Sequence, residues 1–149
     1  IRQMFIPTYE QSETVKELIK EFQEISTCAL HVRGGDLGGP TREYFQKAIQ
    51  RMTSEIPEVQ IIVFTNDKIK ARECLENSES AVNICYISDK GCFSDVDEFC
   101  LMAACQNQII SNSTYSTWAA YLNKYPDKIV IMPDFYGVDV MKLPDWIVV

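Results

Sequence analysis

Cys28-Ala29-Leu30-His31-Val32-Arg33-Gly34-Gly35-Asp36 runs from an apolar, strand-like segment straight into two glycines and a carboxylate. A short run over 28–32 that is mostly apolar on both faces suits a buried strand, and the glycines end it in a loop that reaches Pro40. Thr41 can then cap a helix whose Tyr44, Phe45, Ala48, Ile49 and Met52 share one face, closed by Pro57. The same unit recurs downstream. A strand over 59–64 leads to Asp67, which can cap a helix to about 77. A strand over 82–87 precedes a helix over 95–106. Ile109-Ile110 reads as a strand feeding a helix capped by Ser113 or Thr114, and 129–132 is the last clear strand before Pro133. Upstream, Val15, Leu18, Ile19 and Phe22 follow i, i+3, i+4, i+7 behind a capping box of Thr14 and Glu17. Strands apolar on both faces, alternating with helices of about 10–15 residues, predict an α/β domain with a Rossmann-like doubly wound parallel sheet.

Composition narrows the function. The 149 residues are 46% hydrophobic, and 14 Lys+Arg against 21 Asp+Glu leave a net charge of −7. That fits one globular domain over 1–149 and excludes disorder. The longest apolar stretch, over 99–105, is far short of the roughly 20 residues that span a bilayer. The chain opens on Ile1 with no basic-then-apolar leader, so it reads as a fragment whose anchoring or targeting segment lies elsewhere. The acidic balance argues against nucleic acid or an anionic membrane surface as partner. An anionic small ligand stays possible, because one Arg and a few backbone amides act locally while salt screens the global charge within about 8–10 Å. The six cysteines form no C-x-x-C pair and there is one His, which argues against structural zinc. Buried thiols and disulfides both fit the cysteine positions.

In such sheets ligands bind beyond the carboxyl ends of the strands. Three polar sets stand there: His31 with Arg33 to Asp36, then Thr65-Asn66-Asp67, then Ser111-Asn112-Ser113-Thr114-Tyr115-Ser116. His31 and Arg33, two residues apart on a strand, share a face. Arg33 offers a planar fork of donors suited to a diphosphate, the glycines allow close backbone approach, and Asp36 can hold the guanidinium. The bland alternative is a tight turn with a surface ion pair. Hydroxyls at a strand–helix junction suit phosphate, though an ordinary cap needs one of them. Asp95-Val96-Asp97-Glu98 contains an Asp-x-Asp, which reads better as acids in a first helical turn than as a metal site. Glu98 is left as a carboxylate that can read a nucleotide, and Asp67 as a cap or a ligand group.

These motifs resemble those of the α-1,2-fucosyltransferase family, glycosyltransferase family 11. His31-Val32-Arg33-Gly34-Gly35-Asp36 is similar to its H-x-R-R-G-D, Phe64-Thr65-Asn66-Asp67 to its F-S-D-D, and Glu98-Phe99-Cys100-Leu101-Met102 to its D-L-x-L-M. Ile109-Ile110-Ser111-Asn112-Ser113-Thr114-Tyr115-Ser116-Thr117-Trp118-Ala119-Ala120-Tyr121-Leu122 matches its I-I-S-N-S-S-F-S-W-W-A-A-Y-L. The resemblance covers the chain from about Cys28 onward. It implies the C-terminal, donor-binding half of a GT-B enzyme that uses GDP-fucose, needs no metal, and inverts the anomeric carbon on transfer to a glycan acceptor such as a galactoside 2-hydroxyl. Arg33 and Asp36 then carry the catalytic role. His31, Arg33, Asp67, Glu98, Ser113 and Thr114 bind the donor.

The sequence departs from the family pattern at Gly34, Asn66, Glu98 and Thr117, which replace Arg, Asp, Asp and Trp. A second expectation follows from Gly34 and Asn66: a nucleotide-sugar or glycan-binding domain without turnover. A generic dinucleotide domain is disfavoured, since G-x-G-x-x-G is missing. The resemblance places a eukaryotic member in the Golgi lumen, anchored through a membrane segment outside this chain, and a bacterial one in the cytoplasm. One alternating unit fills the chain and leaves no room for an acceptor domain, so the isolated fragment is expected to bind GDP without transferring fucose.

Overall fold

Strand β1 (Thr27–Val32) is buried along its whole length and hydrogen-bonded on both edges. In the computed structural model, which describes residues 9–34, 39–76, 78, 82–134 and 142–149, it pairs in parallel with β2 (Gln60–Thr65) on one side. On the other side it pairs in parallel with β4 (Asn107–Ile109). Beyond β2 lies β3 (Ile84–Tyr86), and beyond β4 lie β5 (Val130–Met132) and β6 (Ile147–Val148). The order β3-β2-β1-β4-β5-β6, parallel throughout, is that of a Rossmann-like doubly wound sheet, as the alternation of elements predicts.

Alternate residues of β1 feed the two cores. Cys28, Leu30 and Val32 join Ile61 and Val63 under α2 (Arg42–Glu55) and α3 (Lys68–Leu75). Ala29 joins Ile62 and Phe64 under α1 (Glu13–Glu24), α5 (Asp95–Ala104) and α6 (Thr114–Leu122). Apolar burial on both faces is what a parallel sheet requires. All six cysteines are free thiols, with Cys28, Cys74 and Cys105 buried, which resolves the alternative left open by their positions. No helix among the described residues is long and apolar enough to cross a membrane.

Several boundaries differ from the sequence reading. Helix α1 starts at the Ser12 cap, whose Oγ accepts from the Val15 amide at 3.3 Å, so Thr14 sits inside the first turn. A capping box occurs instead on α5, between Ser94 and Asp97. Strand β4 begins at Asn107 and ends at Ile109 because two buried amides replace water there. Asn107 Nδ2 donates to the Thr27 carbonyl at 3.2 Å, and Gln108 Nε2 donates to the Met102 carbonyl at 2.9 Å. Helix α5 accordingly stops at Ala104, and the Gln106 amide turns to Thr27 Oγ1 at 3.0 Å. Strand β3 yields after Tyr86 to a single turn, α4 (Ile87–Lys90). The edge strand β6 was not expected; buried Trp146 precedes it and packs with Ile110, Val130 and Met132.

One contact ties helix to sheet at the functional end. The buried Tyr44 hydroxyl of α2 donates to the Ile110 carbonyl at 2.6 Å, with the Ile131 carbonyl 3.3 Å away. It fixes the backbone just ahead of Ser111. Tyr44→Phe strands the Ile110 carbonyl in an apolar setting and is expected to lower unfolding free energy by about 1–3 kcal/mol, measured by urea denaturation.

Candidate functional site

His31 and Arg33 leave the end of β1 on the face covered by α6, as strand periodicity requires. The His31 Nδ1 lies 2.8 Å from Ser111 Oγ, and its ring stands 5.7 Å from that of Tyr115. Arg33 Nη1 donates to Ser113 Oγ at 3.4 Å while the rest of the side chain is exposed. Ser113 is the N-cap residue of α6, yet its hydroxyl makes no cap bond to that helix. Its carbonyl accepts from the Thr117 amide at 3.0 Å and Thr117 Oγ1 at 2.9 Å, holding the cap residue rigidly while its side chain faces Arg33. A guanidinium thus faces a helix N-terminus whose first amides are not covered by their own cap. This is an arrangement that attracts phosphate.

Burial first, and the charge of Arg33 second, lower the His31 pKa to about 4. The imidazole is therefore a neutral hydrogen-bonding group at physiological pH, not a second cation. Tyr115 links this pair to α5. Its ring meets Phe99 edge-on at 5.4 Å, and its hydroxyl donates to the Asp95 carbonyl at 2.6 Å. Burial, then the Glu98 and Asp95 charges, push the phenol up. Glu98, half-buried in the first turn of α5, is pushed up by burial and by Asp95. The structure thus gathers His31, Arg33, Ser113 and, through Tyr115, Glu98.

Of the remaining sequence-predicted residues, one stands apart from this group. Asp67 lies on the α2–α3 side of β1, where its Oδ1 caps α3 by accepting from the Lys70 amide at 3.0 Å. Gly34 presses against it: a Cβ on Gly34 would overlap the Asp67 Cβ. The Gly34 amide donates to Asn66 Oδ1 at 2.8 Å, so Gly34 and Asn66, two of the departures from the family pattern, touch one another. Thr114 opens α6 with its side chain exposed. Asp36 lies outside the described residues. Asp97 of the Asp-x-Asp is committed to its capping box, with Ser94 Oγ at 2.7 Å from Oδ2. Sequence reasoning gave no role to Ser111, Tyr115 or Lys70. Only the first two carried a signal, as members of the hydroxyl-rich set. A cleft of about 600 Å³ opens at the opposite, amino end of the sheet, among residues such as Gln46, Gln50, Glu58 and Asn83. It offers no cation among its lining residues and lies away from this chemistry.

Residues 21–149 match the family described as glycosyl transferase family 11. The chain belongs to that family. It is also 32% identical over 151 residues to the O-antigen biosynthesis glycosyltransferase WbnK of Escherichia coli. That alignment takes in 89% of this chain and 49% of the relative, so the chain spans about half the length of the curated protein it matches. The His31–Arg33 and Ser111–Ser113 junction lies within the residues that carry the family match.

The neutral His31 carries a pH signature. Its folded pKa lies below the unfolded value of 6.5, so between 6.5 and about 4 the unfolded chain binds more protons and stability falls as pH falls. Unfolding free energy is expected to drop by about 2 kcal/mol from pH 7 to pH 5 through this group. His31→Asn should flatten that interval in denaturation curves.

Proposed function

We propose that this chain is the donor-binding, C-terminal half of a GT-B inverting fucosyltransferase that moves L-fucose from GDP-fucose to a glycan hydroxyl, a galactoside 2-hydroxyl, without a metal. The observation that carries the reading is the guanidinium of Arg33 facing Ser113 at the uncapped start of α6, beside a buried neutral imidazole. In an inverting displacement the acceptor oxygen bonds to the anomeric carbon as the bond to the diphosphate oxygen breaks. Negative charge then grows on the diphosphate. Arg33 and the α6 amides are aimed at such charge, and fixed donors of this kind stabilise a transition state without reorganising. Ser113 and Thr114 join them at the helix start. His31 and Glu98 lie near the nucleoside.

The acceptor, with the base that takes its proton, must sit about 3 Å from the anomeric carbon. We assign both to sequence outside this chain, which fits the half-length coverage of the Escherichia coli relative. That relative's O-antigen role supports a glycan acceptor. A eukaryotic host would place the protein in the Golgi lumen and a bacterial one in the cytoplasm.

A second reading, donor binding without turnover, is favoured by one observation. Gly34 has no room for a side chain, so position 34 supplies no cation. Acceptor-dependent release of GDP from GDP-fucose by the intact protein, with the fucoside seen by mass spectrometry, separates the two. Binding of GDP-fucose without release establishes the second, and preference for another GDP-sugar overturns the fucose assignment.

Three further outcomes are expected. Arg33→Ala should cost about 2–5 kcal/mol of GDP binding by calorimetry, the range for removing one partner of a charge-assisted contact. EDTA should leave GDP binding unchanged. Residues 1–149 alone should bind GDP and transfer no fucose.

A further inference from the structure

The cations at the carboxyl end of the sheet are unevenly occupied. Arg42, at the start of α2, pairs with Glu76 at 3.4 Å, and Lys68, at the start of α3, pairs with Asp89 at 2.7 Å. Arg33 and Lys70 have no carboxylate within ion-pair distance among the described residues. Lys70 is half-buried in the first turn of α3, and its amide donates to Asp67 Oδ1. Its Nζ lies 3.3 Å from the point where a side chain on Gly39 would begin, and the Arg33 carbonyl oxygen lies 3.0 Å from that same point. The ammonium therefore sits beside the backbone that carries Arg33. It comes from the α3 side of β1, while the guanidinium leans towards Ser113.

A nucleoside diphosphate carries more charge than one guanidinium offsets. His31 is neutral, Gly34 contributes no side chain, and Glu98 and Asp95 add negative charge nearby. We propose that Lys70 is the second cation of the diphosphate site, pairing with phosphate oxygens on the side away from Ser113. This rests on the donor-site reading above.

Calorimetry on the intact protein with GDP, GMP and guanosine tests it. Lys70→Gln should weaken GDP about tenfold, the effect of losing one charged hydrogen bond, and leave guanosine within about twofold. Lys70→Arg should retain most of the affinity. Lys124→Gln makes the same charge change on the exposed segment after α6, at the other end of the sheet, and should have no effect. The Lys70→Gln loss should shrink as salt is added. Unchanged GDP affinity in Lys70→Gln, alongside its loss in Arg33→Ala, overturns the Lys70 assignment and leaves the donor site standing. Equal weakening of guanosine and GDP also overturns it, because that reports on the packing of α3 and not on phosphate. Failure of the wild-type protein to bind GDP overturns the donor-site reading itself.

Discussion

Hydrogen bonding of β1 to β2 on one edge and to β4 on the other sends the loops that follow β1 and β4 in opposite directions across the sheet. In open α/β sheets such a change of direction leaves a crevice where ligands settle. His31 and Arg33 come from one lip, Ser111 and Ser113 from the other, and the 2.8 Å and 3.4 Å contacts between them join residues 80 apart in the chain. Moving β4 by one residue along β1 would separate both pairs at once. The buried amides of Asn107 and Gln108 and the Tyr44 hydroxyl are what hold that register, since each bonds a backbone group that would otherwise be unpaired.

The same junction gives a chain of net charge −7 a local setting suited to an anion. Many of the acids lie on exposed helix faces, where several are matched by lysines and arginines at i, i+3 or i+4. Such surface pairs contribute little stability, but they leave the helix flanks locally balanced. Between the lips the balance differs. Arg33 is unpaired by any carboxylate among the described residues, and the imbalance is concentrated where amides and hydroxyls also point.

Much of this was legible because period and type of residue reported on real constraints. Two residues on a strand share a face, so His31 and Arg33 had to meet the same helix. Apolar runs between amphipathic helices had to become a parallel sheet. Legibility failed where a polar residue was buried with partners distant in sequence. Asn107 and Gln108 fall between the helix expected over 95–106 and the strand expected at Ile109, and the Thr27 and Met102 carbonyls receive their side-chain amides in the strand. Thr14 with Glu17 fits a capping box as well as Ser12 fits a simple cap, and the path of the chain into α1 decides between them. Asp67 matched a ligand motif and also a cap; the structure shows the cap, on the face away from Arg33. Lys70 gave no signal at all, because its place depends on the return of the chain to Gly39.

Gly34 shows why a motif cannot be scored one position at a time. Its backbone runs so close to α3 that the first side-chain carbon would collide with Asp67, and its amide is already taken by Asn66. Substituting a longer side chain there would push the end of β1 away from the α3 cap, and Arg33 is the next residue back. The glycine, the asparagine that receives its amide and the aspartate that caps α3 therefore act as one packing unit. That unit fixes the direction in which Arg33 leaves the sheet and bars any side chain at position 34. A second positive charge can then reach the crevice only from a neighbouring element, and α3, whose first turn is held by the same aspartate, is the element in contact.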